Sequence, residues 1–268
     1  PLLWRQLHTA SLLDVGSRPE RTSMYSQMLT LVRSIAACPS LLQALAMDPD
    51  YAQAEAILSW TYNWQARFFG PLEDQEKNLA LAAEHAEAAL AKDPNVSEAY
   101  DNLAMIRFLT GEVEEAMALA ERAVALAPNS SFTLTAAGVV FQYAGRYERA
   151  ASVLARAERI TPIRDTFVQS LLAMNSNARG DYEAAEAYAR WVITAMQGDH
   201  NVGHEQLIFA LASSGQLEEA RELVKTQLSV NPSFSIAGYR AKRTRCCRPP
   251  EAMLARYDEA FRAAGVPE

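Results

Sequence analysis

A chain of 268 residues, half of them apolar, can form one or two globular domains or one elongated array, and it can bury a substantial core. Its formal net charge of −7 disfavours non-specific binding to nucleic acid or anionic membranes. No run of about eighteen apolar residues supplies a membrane span. The apolar share is rich in Ala and Leu rather than β-branched residues, which favours helix over sheet. The start, Pro1-Leu2-Leu3-Trp4-Arg5, lacks the layout of a signal peptide and lacks Met, which predicts a fragment or a processed form. Cys38, Cys246 and Cys247 give an odd count with one adjacent pair and no CxxC spacing, so a reduced, cytoplasmic compartment is the simplest reading. A redox role for Cys246-Cys247 stays open.

In chain order, roughly the first twenty residues show no period. Tyr25 to Ala37 and Leu41 to Met47 are expected as capping helices interrupted at Cys38-Pro39, which makes residues 1–47 an irregular segment with caps. Residues 48–94 read as one helical hairpin whose inter-helix loop is longer by about eleven residues, the surplus sitting at Phe68 to Asp74 between the Trp60-Thr61-Tyr62 helix and an Ala-rich helix from Leu79 to Ala91.

From there a period of 34 to 35 takes over. Gly111, Gly145, Gly180 and Gly215 are 34, 35 and 35 residues apart, and Ala116, Ala150, Ala185 and Ala220 each follow five residues later. Pro94, Pro128 and Pro162 are 34 apart, and Pro232 lies 70 further on. Each unit is therefore a helix, a Gly turn, a second helix and a Pro-marked turn. In one unit Leu134, Ala137, Gly138 and Phe141 share a face of the first helix, and Ala150, Leu154 and Ala157 share a face of the second. Small residues at Gly138 and Ala150 let the two helices approach closely. The unit holding Gly180 has Gln197 where proline is expected and one extra residue before its glycine, which predicts an irregular turn. Residues 95–232 make four such repeats. Residues 233–268 are read as a basic connection followed by a capping helix from about Glu251 to Ala264, with Met253, Leu254, Tyr257 and Phe261 as its apolar stripe.

Leu134, Gly138, Phe141, Ala150, Ala157 and Pro162 resemble the tetratricopeptide repeat position by position, as do Leu103, Ala104, Gly111, Ala116, Ala123 and Pro128. The resemblance implies an all-α fold: an α-solenoid, a right-handed superhelix of helix-turn-helix repeats capped at both ends. A narrower resemblance rests on Asp48-Pro49-Asp50-Tyr51-Ala52, Trp60-Thr61-Tyr62, Pro232-Ser233-Phe234-Ser235 and the ending Phe261-Arg262-Ala263-Ala264-Gly265-Val266-Pro267-Glu268. Residues 48 to 268 are similar to the C-terminal repeat regions of bacterial class III adenylate/guanylate cyclases. Related regions follow winged-helix domains in bacterial regulators. The tail departs from the cyclase pattern, with Ala-Phe where that family often has Gly-Leu. Nothing in the chain matches cyclase catalytic motifs, so any such activity would belong to another domain.

No phosphate loop, dinucleotide fingerprint, nucleophile elbow or zinc-protease motif is present, and no cofactor is expected. His200 and His204 have a spacing that could place two metal ligands on one helical face, but Asn201-Val202-Gly203 reads better as a turn entering a helix. Arg240, Lys242, Arg243, Arg245 and Arg248 could dock an acidic partner or a phosphate. The acidity of the rest of the chain instead favours pairing with carboxylates of the last repeat.

The resemblance also implies that the first helix of each repeat lines a concave face. Carried over, this selects Trp60, Trp64, Asp101, Met105, Phe108, Phe132, Val139, Gln142, Tyr143, Phe167, Met174 and Phe209, together with Asn63, Glu98, Asn102, Thr135, Ser170, Asn177, Val202 and Glu205. Aromatics and Met with scattered polar groups suit a peptide, a helix or a docking domain, or else packing between repeats. Basic residues that would clamp an acidic peptide tail are missing from these positions. The expected function is a non-catalytic protein-interaction module of a signalling protein, with a homodimer left open. The alternatives are the repeat region of a winged-helix regulator, or a small-molecule sensor closing on Trp60, Trp64 and Phe108.

Overall fold

The computed structural model describes residues 39–161, 163–196 and 201–268, which contain thirteen α-helices and no strand. The expected helix from Tyr25 to Ala37, Cys38, Pro162, Gln197 and the His200 half of the histidine pair lie outside the described residues. A short helix α1 (Pro39–Met47) leads into five helical hairpins. These are α2 (Ala52–Trp64) with α3 (Gln75–Lys92), α4 (Ser97–Thr110) with α5 (Val113–Leu126), and α6 (Ser131–Tyr143) with α7 (Tyr147–Ile160). Then come α8 (Thr166–Arg179) with α9 (Tyr182–Ala195), and α10 (Asn201–Ser213) with α11 (Leu217–Val230). A last hairpin, α12 (Ile236–Cys247) and α13 (Glu251–Ala264), ends the chain.

The turns follow from the periodic residues. Gly145 sits at φ +73°, and the amide of Arg146 donates to the Phe141 carbonyl at 2.8 Å, which satisfies the end of α6. In the repeat with the extra residue, the Asp165 carboxylate caps α8, accepting from the amides of Phe167 and Val168 at 2.8 and 3.1 Å. Within the hairpin α6–α7, a Cβ at Gly138 would stand 2.6 Å from Leu154 Cδ2 and 2.7 Å from its Cγ. The glycine is thus what sets the helix separation.

In the five hairpins from α2 to α11, each first helix packs on its own second helix, each second helix packs on the first helix of the following one of the five, and successive first helices α2, α4, α6, α8 and α10 also touch one another. The second helices thereby form the outer layer and the first helices an inner wall. The outer helices bury one narrow stripe each, such as Ala116, Ala120, Ala123 and Val124 on α5 and Ala150, Val153, Leu154 and Ala157 on α7. The inner helices are buried nearly all round.

Two segments differ from the sequence expectation. The surplus between α2 and α3 is helical rather than a loop: Gln65–Phe69 is a π-helix, closed by the Gly70 amide on the Gln65 carbonyl at 2.7 Å, and Leu72–Asp74 is a 3₁₀ turn. The stretch read as a basic connection is the helix α12. Ser235 Oγ caps it from the Gly238 amide at 3.1 Å, and Ile236, Tyr239, Arg243 and Cys246-Cys247 share its buried face. α13 packs on α10 and α11 through an aromatic cluster, with Phe209 to Tyr257 at 4.1 Å and Tyr239 to Phe261 at 5.0 Å between ring centres.

Candidate functional site

Four consecutive inner helices open onto one groove. α2 and its π-helical extension contribute Trp60, Asn63, Trp64, Arg67 and Phe68. α4 contributes Asp101, Asn102 and Met105, α6 contributes Phe132, Thr135, Ala136 and Val139, and α8 contributes Phe167. The spacing explains the convergence: Trp60 and Trp64 are one helical turn apart, and the extended helix carries the same face on to Arg67 and Phe68. The aromatic wall is continuous, with Trp60 to Trp64 at 5.5 Å and Trp64 to Phe68 at 4.9 Å between ring centres. Phe132 and Phe167 are only half-buried, leaving apolar surface open to a partner.

The polar groups of the groove are unevenly satisfied. Asn102 Nδ2 donates to the Ala56 carbonyl at 3.1 Å. Arg67 Nε donates to the Cys246 carbonyl at 2.7 Å, and its guanidinium lies 4.8 Å from the centre of the Phe68 ring. Asp101, only 4 % exposed, has no hydrogen-bond partner for either carboxylate oxygen, and Asn63 Oδ1 has none. Burial pushes the Asp101 carboxyl well above the usual carboxylate range; the neighbouring Thr133 hydroxyl opposes the shift, and the like charge of Glu98 adds to it.

Of the residues selected from sequence, Trp60, Trp64, Asp101, Met105, Phe132, Val139 and Phe167 come together here, with Asn63, Asn102 and Thr135. Phe108, Gln142, Tyr143, Met174 and Phe209 do not line the groove and are buried. Phe209 is covered by Tyr257, and Arg256 lies over its ring. Gln142 Oε1 accepts from Asn175 Nδ2 at 2.6 Å. Phe108 stacks at 6.4 Å on Tyr143, whose surroundings include Cys247 and Arg243 of α12.

The chain's own C-terminus thus covers part of the inner wall. Arg243 donates to Glu205 on α10 at 2.6 Å and Lys242 donates to the same carboxylate at 3.1 Å. Burial works against ionising Glu205, yet Arg243 and Lys242 outweigh it and hold its carboxyl below the ordinary value. At its other end α12 reaches the first hairpin: Arg245 donates to the Gly70 and Ala66 carbonyls, and Gln75 Nε2 donates to the Arg245 carbonyl at 3.0 Å. Arg240 pairs with Glu251 and Asp258 at 2.5 Å each. Arg240, Lys242, Arg243 and Arg245 are therefore engaged within the chain.

Cys246 and Cys247 are buried free thiols beneath this crossing. Burial resists ionisation of Cys247, but its hydrogen bond with Cys246 and the nearby Arg67 and Arg243 bring it down to about 6. Among the described residues, no three His, Cys, Asp or Glu side chains cluster as a metal site, and no helix is long and apolar enough to cross a membrane.

Arg67, Phe68 and Ala136 were not selected from sequence. Their helix-face spacing to Trp60, Trp64 and Phe132 was the available sign, masked for the first two by the Gly70-Pro71 break that reads as a loop.

A two-layer stack of helical hairpins with a groove on the inner layer defines an α-solenoid. One of its repeats, residues 97–130 with α4 and α5, matches the tetratricopeptide repeat family model. No curated protein matches the chain significantly in sequence. Among solved structures, PilW, titled a widely conserved type IV pilus biogenesis factor, is similar with a TM-score of 0.59 at 18% identity, over 87% of this chain and 96% of its own. A tetratricopeptide repeat protein from Parabacteroides merdae ATCC 43184 gives 0.55 at 16% identity, over 98% of this chain and 93% of its own. YrrB, titled a tetratricopeptide protein with an unusual peptide-binding site, gives 0.50 at 17% identity, over 72% of this chain and 93% of its own. At these identities the likeness establishes the fold.

Proposed function

We propose that this chain is a protein-interaction module whose inner groove, from Trp60 to Phe167, binds an apolar segment of a partner protein, and that it performs no turnover itself. The observation that carries the reading is the half-exposed pair Phe132 and Phe167, facing a buried Trp60–Trp64 wall across four consecutive inner helices. Aromatic anchors set in a preformed groove are where binding energy concentrates. The peptide-binding site named for YrrB, a relative in fold, lends support. The groove runs open along four helices instead of closing on Trp60, Trp64 and Phe108, which favours a chain-like ligand over an enclosed small molecule.

Peptides selected on the intact chain from a random display library test this directly. Phe132→Ala with Phe167→Ala should weaken their capture by about tenfold or more while helicity is unchanged. Unchanged capture sinks the groove assignment. The similarity of residues 48–268 to cyclase repeat regions supports placing the module in a cytoplasmic bacterial signalling protein. The gene sequence upstream of Pro1 tests that placement. A cyclase domain supports it; a winged helix or no further domain overturns it.

A further inference from the structure

We propose that the groove recognises a basic side chain, an arginine or lysine within an apolar peptide segment of the partner, and seats its cationic head between the aromatic wall and Asp101. This deepens the groove reading above and rests on it.

An apolar groove built only for apolar contact has no use for a carboxylate. Asp101 nonetheless lines it, 4 % exposed, with only the Thr133 hydroxyl close to its oxygens, and Asn63, which also lines the groove, has an unpartnered Oδ1. Leaving such acceptors dry and unpaired is costly, more so for a charged group. Once ionised, the carboxylate, like the amide oxygen, can only accept hydrogen bonds, so the group that draws Asp101 into the ionised form must donate and is best cationic. The faces of Trp60, Trp64 and Phe132 attract a cation by their ring quadrupoles. Among the described residues, the cation lining the groove is Arg67, which is turned to the Cys246 carbonyl and the Phe68 ring and does not satisfy Asp101. The chain's net charge of −7 favours approach of a positive segment. A free amine would meet only the Asp101 end of the groove, whereas a peptide side chain anchors a segment that also covers Phe167 on the far helix.

In the free chain, burial keeps the Asp101 carboxyl protonated to higher pH than an ordinary aspartate, with Glu98 on its own helix and Arg67 on the groove wall as the charged groups around it. A bound guanidinium or ammonium favours the ionised form. Binding should therefore release a proton and tighten as pH rises.

The experiment selects random decapeptides on the intact chain and on Asp101→Asn, and measures the resulting binders by calorimetry from pH 5 to 8. The wild-type selection should return peptides with Lys or Arg at one fixed position among apolar residues. Replacing that Arg by citrulline, or Asp101 by Asn, should weaken binding by about tenfold or more, and the rise of affinity with pH should disappear in Asp101→Asn. Circular dichroism checks that the variant keeps its helices. Binders without a basic position, or a basic preference that survives Asp101→Asn, overturn this proposal and leave the groove reading intact. Binders insensitive to Phe132→Ala with Phe167→Ala, or no binders at all, overturn the groove reading itself. If butylguanidinium displaces the peptides at the peptides' own concentration, the site serves a small amine and the peptide assignment falls.

Discussion

The outer and inner helices of this array use the same repeat length for opposite purposes. An outer helix such as α7 buries Ala150, Val153, Leu154 and Ala157 and gives its remaining faces to water and exposed ion pairs. An inner helix such as α8 buries eleven of its fourteen residues, among them Gln169, Ser170, Asn175, Ser176 and Asn177. Polar groups at such depth need partners, and these come from elsewhere in the chain: Asn175 from Gln142, Asn177 from Gln206, Gln206 from Tyr257 of α13. The outer layer is therefore stabilised locally and the inner layer by long-range polar closure. That closure is incomplete, since single atoms of Ser59, Asn63, Gln142, Asn177 and Gln206 also lack partners, so it is the place of Asp101 in the groove that points to function.

That contrast is broken most severely where α12 closes the inner wall. Glu205→Ala leaves Arg243, 6 % exposed, without its carboxylate and should cost about 3–5 kcal/mol in chemical denaturation. Because Arg243 and Lys242 hold the folded Glu205 carboxyl below 4.5, its contribution is complete above that value. It is lost as pH falls through the depressed value. Acid titration of Glu205→Gln should therefore show a shallower loss of stability than the wild type. Equal acid limbs would mean that Glu205 is not ionised in the folded chain.

A smaller effect tests the contact between layers. In an open helix Gly138→Ala would gain about 1 kcal/mol of helix propensity. Here the new methyl meets Leu154, so overpacking should reverse the sign to a net loss of about 1–3 kcal/mol. Leu154→Ala in the same chain should relieve that clash and give a clear non-additive coupling in a double-mutant cycle. At Gly145 a Cβ meets nothing within 4 Å, so only the φ of +73° is strained. Gly145→Ala should cost about 1–2 kcal/mol, and Gly145→Asn less.

The outer layer was legible because its rules are local. The spacing of Gly111, Gly145, Gly180 and Gly215 reports turns, and all four take positive φ. Seven of the twelve residues selected for the inner face meet in one groove, because helix periodicity fixes which face they occupy. What periodicity could not give was occupancy by the chain itself. Tyr143 and Phe209 lie on inner helices, but α12 and α13 return over them from about a hundred and about fifty residues away respectively. Charge density made Arg240 to Arg248 read as a connection, since a buried Arg243 is plausible only once Glu205 stands opposite it. Gly70-Pro71 likewise hid the π-helix, whose closing bond depends on an i to i+5 geometry that no composition announces.

The smallest effect expected is on the outer surface, where Arg149 grips Glu121 with two hydrogen bonds of 2.7 and 2.6 Å between the α7 and α5 helices. The geometry is good, yet the two side chains are 40% and 48% exposed, so water and salt already screen the pair. Glu121→Gln should cost about 0.5 kcal/mol or less, and the cost should fade in high salt. Arg149→Ala should cost more than Glu121→Gln and keep its cost in salt, because the arginine also lies 5.6 Å over the ring of Phe141, itself only 2 % exposed. If both variants lose the same stability and both recover in salt, the charge alone matters there. If Arg149→Ala alone persists, the outer helices use their cations as covers for the core, a different use from the paired Arg243 of the inner wall.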